Sequence, residues 1–233
     1  MQLHSFPENF RACVIGASGA IGAAFVNALK NDTRCEHVVA LHRNSIPAID
    51  MTDEASIEAA AAEIKAQGPF HLIIHAAGIL HQQEFMPEKK LGDLNMAQMQ
   101  TTFVVNTFGP AIVLRHFSKL LDRQRGVFAL LSAKVGSIED NSLGGWYSYR
   151  ASKAALNMMI KTAAIEIKRT QPNAIVIAMH PGTVTSHLSQ PFRGAEIGRP
   201  AMQAANEMLA VIDQLNAEDS ASFVSYNGER LPW

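Results

Sequence analysis

The sequence predicts an α/β fold, a doubly wound parallel sheet of about seven strands with helices on both faces. Three observations lead there. Short apolar runs alternate with longer amphipathic ones along nearly the whole chain, the rhythm of repeated βαβ units. Near the start, the apolar run Arg11 to Ile15 passes straight into Gly16-Ala17-Ser18-Gly19-Ala20-Ile21-Gly22 and then into a helix-like stretch, which is strand, glycine turn, helix. With 233 residues, 48% of them hydrophobic, the chain can bury one substantial core, so residues 1–233 read as a single domain. No internal repeat, low-complexity tract or linker divides it.

In chain order, the first strand is read at 11–15 and the first helix at 20–30. Glycines let the backbone turn tightly and come close to a ligand, and the new helix aims free N–H groups and its positive dipole end at a phosphate. Gly16, Ser18, Gly19, Ala20, Ile21 and Gly22 are therefore candidate dinucleotide contacts. Ala20 is expected to add a methyl where helix and strand pack closely. A second strand at 37–42 ends in Arg43-Asn44, at the position where binding of a free ribose 2′-hydroxyl would call for an acidic residue. A guanidinium there pairs with a 2′-phosphate, which predicts NADP (NADPH) in preference to NAD.

A short strand at 47–49, a helix at 53–66 and a strand at 70–75 follow. The polar piece 81–90 reads as a surface excursion. The helical stretch 95–121 breaks near Asn106, Gly109 and Pro110, because proline lacks the N–H a helix interior needs. Strands at 126–131, 174–179 and 221–225 and helices at 147–169 and 200–216 complete the pattern. Between the last two helices, 186–198 loses periodicity at Pro191, Gly194 and Gly198, and such loops lie over the carboxyl ends of strands, where open α/β sheets bind ligands.

The chemistry is concentrated in Trp146-Tyr147-Ser148-Tyr149-Arg150-Ala151-Ser152-Lys153. Tyr149 and Lys153 are four apart in a helical stretch and so share a face. A free phenol has a pKa near 10, and an adjacent cation favours its ionised form, so the pair is an acid/base device. Other chemistries are disfavoured. No H-E-x-x-H or C-x-x-C is present, and His71 and His75 on one strand face lack a third ligand, so no metal site is expected. The G-x-S-x-G elbow of serine hydrolases is missing too.

A net charge of −1 without a basic run gives no surface for nucleic acid or an anionic membrane. The first nine residues lack a basic start and an apolar stretch, and no segment reaches the length of a membrane span. A cytoplasmic location is expected, with Cys13 and Cys35 as reduced thiols.

In this order of motifs the chain resembles the short-chain dehydrogenase/reductase family, whose glycine turn reads T-G-x-x-x-G-x-G and whose active site carries Y-x-x-x-K. Further matches are Asp50-Met51, Ala76-Ala77-Gly78 after 70–75, Asn106 in Val105-Asn106-Thr107-Phe108-Gly109-Pro110, and Pro181-Gly182-Thr183-Val184. Gly136-Ser137-Ile138, Asp140-Asn141 and the ending Leu231-Pro232-Trp233 are similar to the branch that holds the developmental C-factor and small carbonyl reductases. The resemblance implies a Rossmann-type fold, a substrate loop at about 186–198, and hydride transfer between NADP and a small carbonyl or alcohol. In it Tyr149 donates or accepts the proton, Lys153 lowers the tyrosine pKa and bonds the nicotinamide ribose, and Asn106 holds a water that connects Lys153 to solvent. Asp50, Met51, Ala76, Ala77, Gly78, Pro181, Gly182, Thr183 and Val184 join the cofactor site.

One position departs from the family. Its S-S-x-x-G pattern puts the catalytic serine three before the glycine, where Ser132-Ala133-Lys134-Val135-Gly136 has Ala133. Ser132 is the retained candidate, although successive side chains at a strand end point to opposite faces; Ser137 and Ser142 are alternatives. Two function classes follow: an NADP-dependent oxidoreductase, or a dinucleotide-binding signalling protein that kept the fold with little turnover. The apolar residues of 107–121 and 150–167 exceed one buried stripe, which together with the resemblance predicts a homodimer or homotetramer, with Met158 and Met159 at the interface or in the core beneath it.

Overall fold

The computed structural model describes residues 2–192 and 194–233, so Met1 and Arg193 of the 186–198 loop lie outside the described residues. Six strands form one parallel sheet in the order β2-β1-β3-β4-β5-β6: β1 Phe10–Ile15, β2 Cys35–Leu41, β3 Leu72–His75, β4 Val127–Leu131, β5 Ile175–His180 and β6 Phe223–Ser225. Every neighbouring pair is parallel. The chain reverses its direction of growth between β1 and β3, and the crevice outside the carboxyl ends at such a switch is where open sheets bind dinucleotides.

The period-2 alternation of the strands separates two cores. Cys13 and Ile15 of β1, Phe128 and Leu130 of β4, and Val176 and Ala178 of β5 face one side. That side is closed by α2 (Glu54–Ile64), α4 (Gly109–Phe117) and α5 (Tyr147–Lys168). Ala12, Val14, Ala129 and Ile177 face the other, under α1 (Ala20–Lys30) and α7 (Ala201–Gln214). Among the described residues two further helices are α3 (Met96–Phe103), which packs against α5, and the four-residue α6 (Gly194–Ile197).

The strand expected at 47–49 does not form, so the sheet has six strands rather than seven. Pro47 offers no amide hydrogen, its carbonyl accepts from the Ser45 Oγ at 2.6 Å, and Ile49 N donates back to His42 O at 3.1 Å. Its donors and acceptors are thus consumed within a turn. The segment 81–90 also differs from a plain surface excursion, because Pro87 and Glu88 are buried.

The break in 95–121 is a π turn, Val104–Phe108, joining α3 to α4. Gly109 N donates to Val104 O, five residues back, and Pro110 follows in the first turn of α4. That irregularity puts Asn106 into the interior, with none of its surface exposed.

Candidate active site

The glycine turn is built as a cradle. Gly16 has φ +84°, and a Cβ on it would meet Ala77 N at 2.6 Å; a Cβ on Gly22 would meet Gly16 O at 2.2 Å. The strand, the helix and the end of β3 therefore close on one another only because both positions are glycine. Ala20 is exposed, so its methyl points outward and the close helix–strand approach expected there falls at Gly22 instead. Gly19 is the N-cap of α1 without a side-chain cap, no acidic residue stands in the first turn, and the exposed Ser18 hydroxyl lies beside it. The first N–H groups of α1, those of Ala20, Ile21 and Gly22, are left for an acceptor from outside the helix.

Ala76 N donates to Ile15 O at 2.8 Å and fixes Ala76-Ala77-Gly78 along the same crevice. Arg43 is exposed just beyond β2. The Thr52 backbone N–H holds the Asp50 carboxyl below the usual carboxylate range, and Arg43 adds to this. Met51 presents its sulfur to the buried His75 Nε2 at 3.2 Å. Burial, with Lys153 adding, pushes His75 down to about 3, so its ring is a neutral wall of the crevice.

α5 carries the acid/base pair. Glu88, 2% exposed, caps that helix from the distant 81–90 segment: Ser148 N donates to its Oε2 at 3.1 Å and the Ser148 hydroxyl donates to its Oε1. Trp146, at φ +51°, sits just before, its N–H donating to Glu88 O. The cap thus orders Trp146 and Ser148, which lead directly into Tyr149.

Lys153 is buried and its Nζ donates to Leu131 O, the last residue of β4, at 3.0 Å. A Cβ on Gly78 would lie 3.5 Å from this Nζ and 3.3 Å from Asn106 Oδ1, so Lys153, Asn106 and Gly78 converge. Asn106 is clamped by three bonds: Ile79 N to Oδ1 at 2.8 Å, Nδ2 to Ile79 O at 2.8 Å, and Nδ2 to Ser152 Oγ at 3.2 Å.

Burial pushes the Tyr149 phenol up to about 12 and the Lys153 ammonium down to about 8. The lowering expected from Lys153 does not result in this geometry, since Nζ turns to Leu131 O and lies 5.9 Å from the tyrosine ring centroid. A phenol so held keeps its proton at neutral pH.

Ser132 faces α5 and donates to Asn157 Oδ1 at 2.5 Å. Its partner Asn157 stands one helical turn beyond Lys153 on α5. Ser137 is 2% exposed and donates to Trp233 O, while Ser142 lies out in solvent. Ala133 is buried at the strand end.

Past Tyr149, an aromatic row extends the crevice. Trp146 packs edge-on to Tyr149 at 6.2 Å and to Phe192 at 4.9 Å, and His81 meets both Phe192 and His187. The 186–198 loop is thereby folded against the 81–90 segment. Its base is pinned by Arg199, which pairs with Glu207, covers the Tyr226 ring at 3.4 Å and donates to Pro181 O. Arg199 N also donates to Thr183 O at 3.0 Å, and Val184 is buried beneath. Gly182, at φ +69°, leaves the space that Arg199 and Tyr226 fill.

Glu88, Trp146, Phe192 and His81 were not singled out as site residues by the sequence. An acidic residue in a polar run carries no signal that it will cap a helix 60 positions later.

A phosphate cradle at the switch point of a parallel sheet, beside a buried lysine and a tyrosine on one helix face, defines a dinucleotide-dependent oxidoreductase. A family model described as short chain dehydrogenase matches residues 11–196, and the chain belongs to this short-chain dehydrogenase/reductase family. It is 31% identical over 188 residues to 1-hydroxy-2-glutathionyl-2-methyl-3-butene dehydrogenase of Rhodococcus sp. (strain AD45), covering 80% of this chain and 79% of the relative. It is 34% identical over 170 residues to the C-signal of Myxococcus xanthus, covering 71% and 94%. Among solved structures, NADPH-bound carbonyl reductase from chicken fatty liver superposes with a TM-score of 0.83 at 23% identity, covering 98% and 96%. The carbonyl reductase Sniffer of D. melanogaster gives 0.82 at 21%, covering 97% and 100%. These two likenesses bear on the fold.

Proposed function

We propose that this chain is an NADP-dependent oxidoreductase that interconverts a small carbonyl compound and its alcohol. The observation that carries this reading is the convergence of Lys153 Nζ, Asn106 and Gly78 at the carboxyl end of β4, with Tyr149 one turn away on α5. When bound, the nicotinamide supplies the hydride. Tyr149, held protonated by burial, gives its proton to the oxygen as the carbonyl becomes an alcohol. Lys153, held near its titration point, bonds the nicotinamide ribose and passes a replacement proton toward the phenol, and Asn106 holds the water that links it to solvent.

The N–H groups at the start of α1, with Ser18, hold the pyrophosphate, and Arg43 takes the 2′-phosphate of NADP. Asp50 and Met51 border the adenine side; Ala76, Ala77, Gly78 and Pro181 to Val184 border the nicotinamide side. The aromatic row Trp146, Phe192 and His81 suits a substrate with a flat or apolar body next to its carbonyl. The free thiols of Cys13 and Cys35 suit the reducing cytoplasm.

Exposed Phe108, at the end of the π turn before α4, and exposed Met158, Met159 and Ile165 on α5 support a homodimer through this surface. Met158, 65% exposed, belongs to that surface and not to the core beneath.

Ala133 is the observation that favours the second reading, a dinucleotide-binding signalling protein with little turnover. NADPH oxidation measured against a panel of aldehydes, ketones and quinones separates the two. Turnover that disappears in Tyr149→Phe supports the enzyme; NADPH binding with no turnover on any carbonyl supports the signalling protein.

A further inference from the structure

Ala133 cannot donate a hydrogen bond, and the serines around it are committed elsewhere, Ser132 to Asn157 and Ser137 to Trp233. A donor does stand on the neighbouring strand. β4 and β5 pair with Leu131 beside Met179, and Ser132 N donates to Met179 O at 2.8 Å, so the turn through Ala133 runs past His180, the last residue of β5. Ala178 belongs to the core under α5 and Met179 to the opposite core, so alternation directs His180 toward the face of α5, which carries Tyr149 and Lys153.

The orientation of the ring is fixed. The backbone N–H of Lys134, the residue after Ala133, donates to His180 Nδ1 at 3.2 Å. An accepting Nδ1 puts the ring proton on Nε2. Nε2 makes no hydrogen bond with any described residue and is not sealed in the core. Burial first, then the charges of Lys134 and Arg199, pushes His180 down to about 4, against the smaller opposing effect of Asp140. The ring is neutral at pH 7, and a neutral imidazole N–H is an effective electrophile toward a carbonyl oxygen.

We propose that His180 is the catalytic hydrogen-bond donor that replaces the family serine, its Nε2–H holding the substrate carbonyl oxygen together with the Tyr149 hydroxyl. The inference rests on the oxidoreductase reading above. It assigns His180 no proton transfer, since Tyr149 delivers the proton and His180 polarises the C=O bond that receives the hydride.

Two substitutions separate this role from simple anchoring of the Lys134 turn. Asparagine places its amide oxygen near the position of Nδ1 and keeps the Lys134 bond, while removing the far donor. Glutamine places its amide nitrogen near Nε2 and gives up the near acceptor. NADPH oxidation is measured with 4-nitrobenzaldehyde and phenanthrene-9,10-quinone, alongside whichever panel carbonyl the wild type turns over fastest.

His180→Asn should lower kcat about a hundredfold with NADPH affinity unchanged, the effect of losing one preorganised donor. His180→Gln should lose about tenfold or less, and adding Ala133→Ser to His180→Asn should recover at least about tenfold, as a serine hydroxyl returns to the vacant position. Nitrogen-15 spectra of the imidazole should show the Nε2–H tautomer persisting from about pH 5.5 to 8, independently of turnover. If asparagine is tolerated and glutamine is not, or if the ring titrates near 6.5, the proposal is overturned while the oxidoreductase reading stands. A wild type that oxidises no NADPH with any carbonyl overturns both.

Discussion

Asn106 and Pro110 stand four residues apart at the π turn, and the proline removes the backbone donor that an α-helix would offer to the Asn106 carbonyl. The helix accordingly widens there. Asn106 is turned inward, where its side chain clamps both backbone groups of Ile79 beside Lys153.

Asn106→Ala leaves the Ile79 N–H and C=O without these partners in a buried place. The expected cost is about 3 kcal/mol, or roughly 6–12 °C in Tm for a chain of this size. Differential scanning calorimetry reads it; an unchanged Tm would show that the clamp is dispensable.

Arg43 is expected to make NADPH bind at least about tenfold more tightly than NADH, equivalent to about 1.4 kcal/mol. Arg43→Ala should erase most of that difference by weakening NADPH alone. Equal affinities in wild-type calorimetry would remove Arg43 from the 2′-phosphate.

His75 is neutral and wholly buried, with a pKa pushed far below that of an exposed imidazole. Below about pH 6.5 the unfolded chain binds a proton at His75 that the folded chain does not, so stability is lost as pH falls from there toward the folded value. Between neutral pH and pH 5 this single group contributes a loss of about 2 kcal/mol. Urea denaturation at the two pH values should show that loss, and His75→Gln should show less of it. A variant that loses as much as the wild type would assign the acid sensitivity to other groups.

Much of this architecture was legible because it depends on local pattern. The alternation of β1, the turn from Gly16 to Gly22 and the break at Pro110 each have a backbone cause that single residues reveal. The strand expected at 47–49 failed because Ser45 and His42 satisfy its backbone within a turn, a competition that apolar character alone does not show. Tyr149 and Lys153 were found from their spacing, but their pKa values depend on burial, and Lys153 turns its charge to Leu131 O. The Glu88 cap joins segments 60 residues apart, beyond the reach of any local rule. His180, directly before Pro181-Gly182, meets the turn through Ala133 only because β4 and β5 pair, a neighbourhood that no local pattern shows.

Exposed Met158 and Met159 on α5, with Phe108 next to α4, are expected to meet a second copy of the chain. Multi-angle light scattering at micromolar concentration should give twice the chain mass, and Met158→Glu with Met159→Glu should give a monomer. A monomeric wild type would reject the dimer.

The most direct measurement follows deuterium from NADPH deuterated at both C4 positions into product, for wild type and for Tyr149→Phe, using the panel carbonyl with the highest turnover. Wild type should place one deuterium on the carbinol carbon, and Tyr149→Phe should bind NADPH equally well while forming labelled alcohol at least about a hundredfold more slowly. Labelled alcohol formed at the wild-type rate by Tyr149→Phe would contradict the assignment of Tyr149 as proton donor, and no labelled alcohol from the wild type would contradict the oxidoreductase itself.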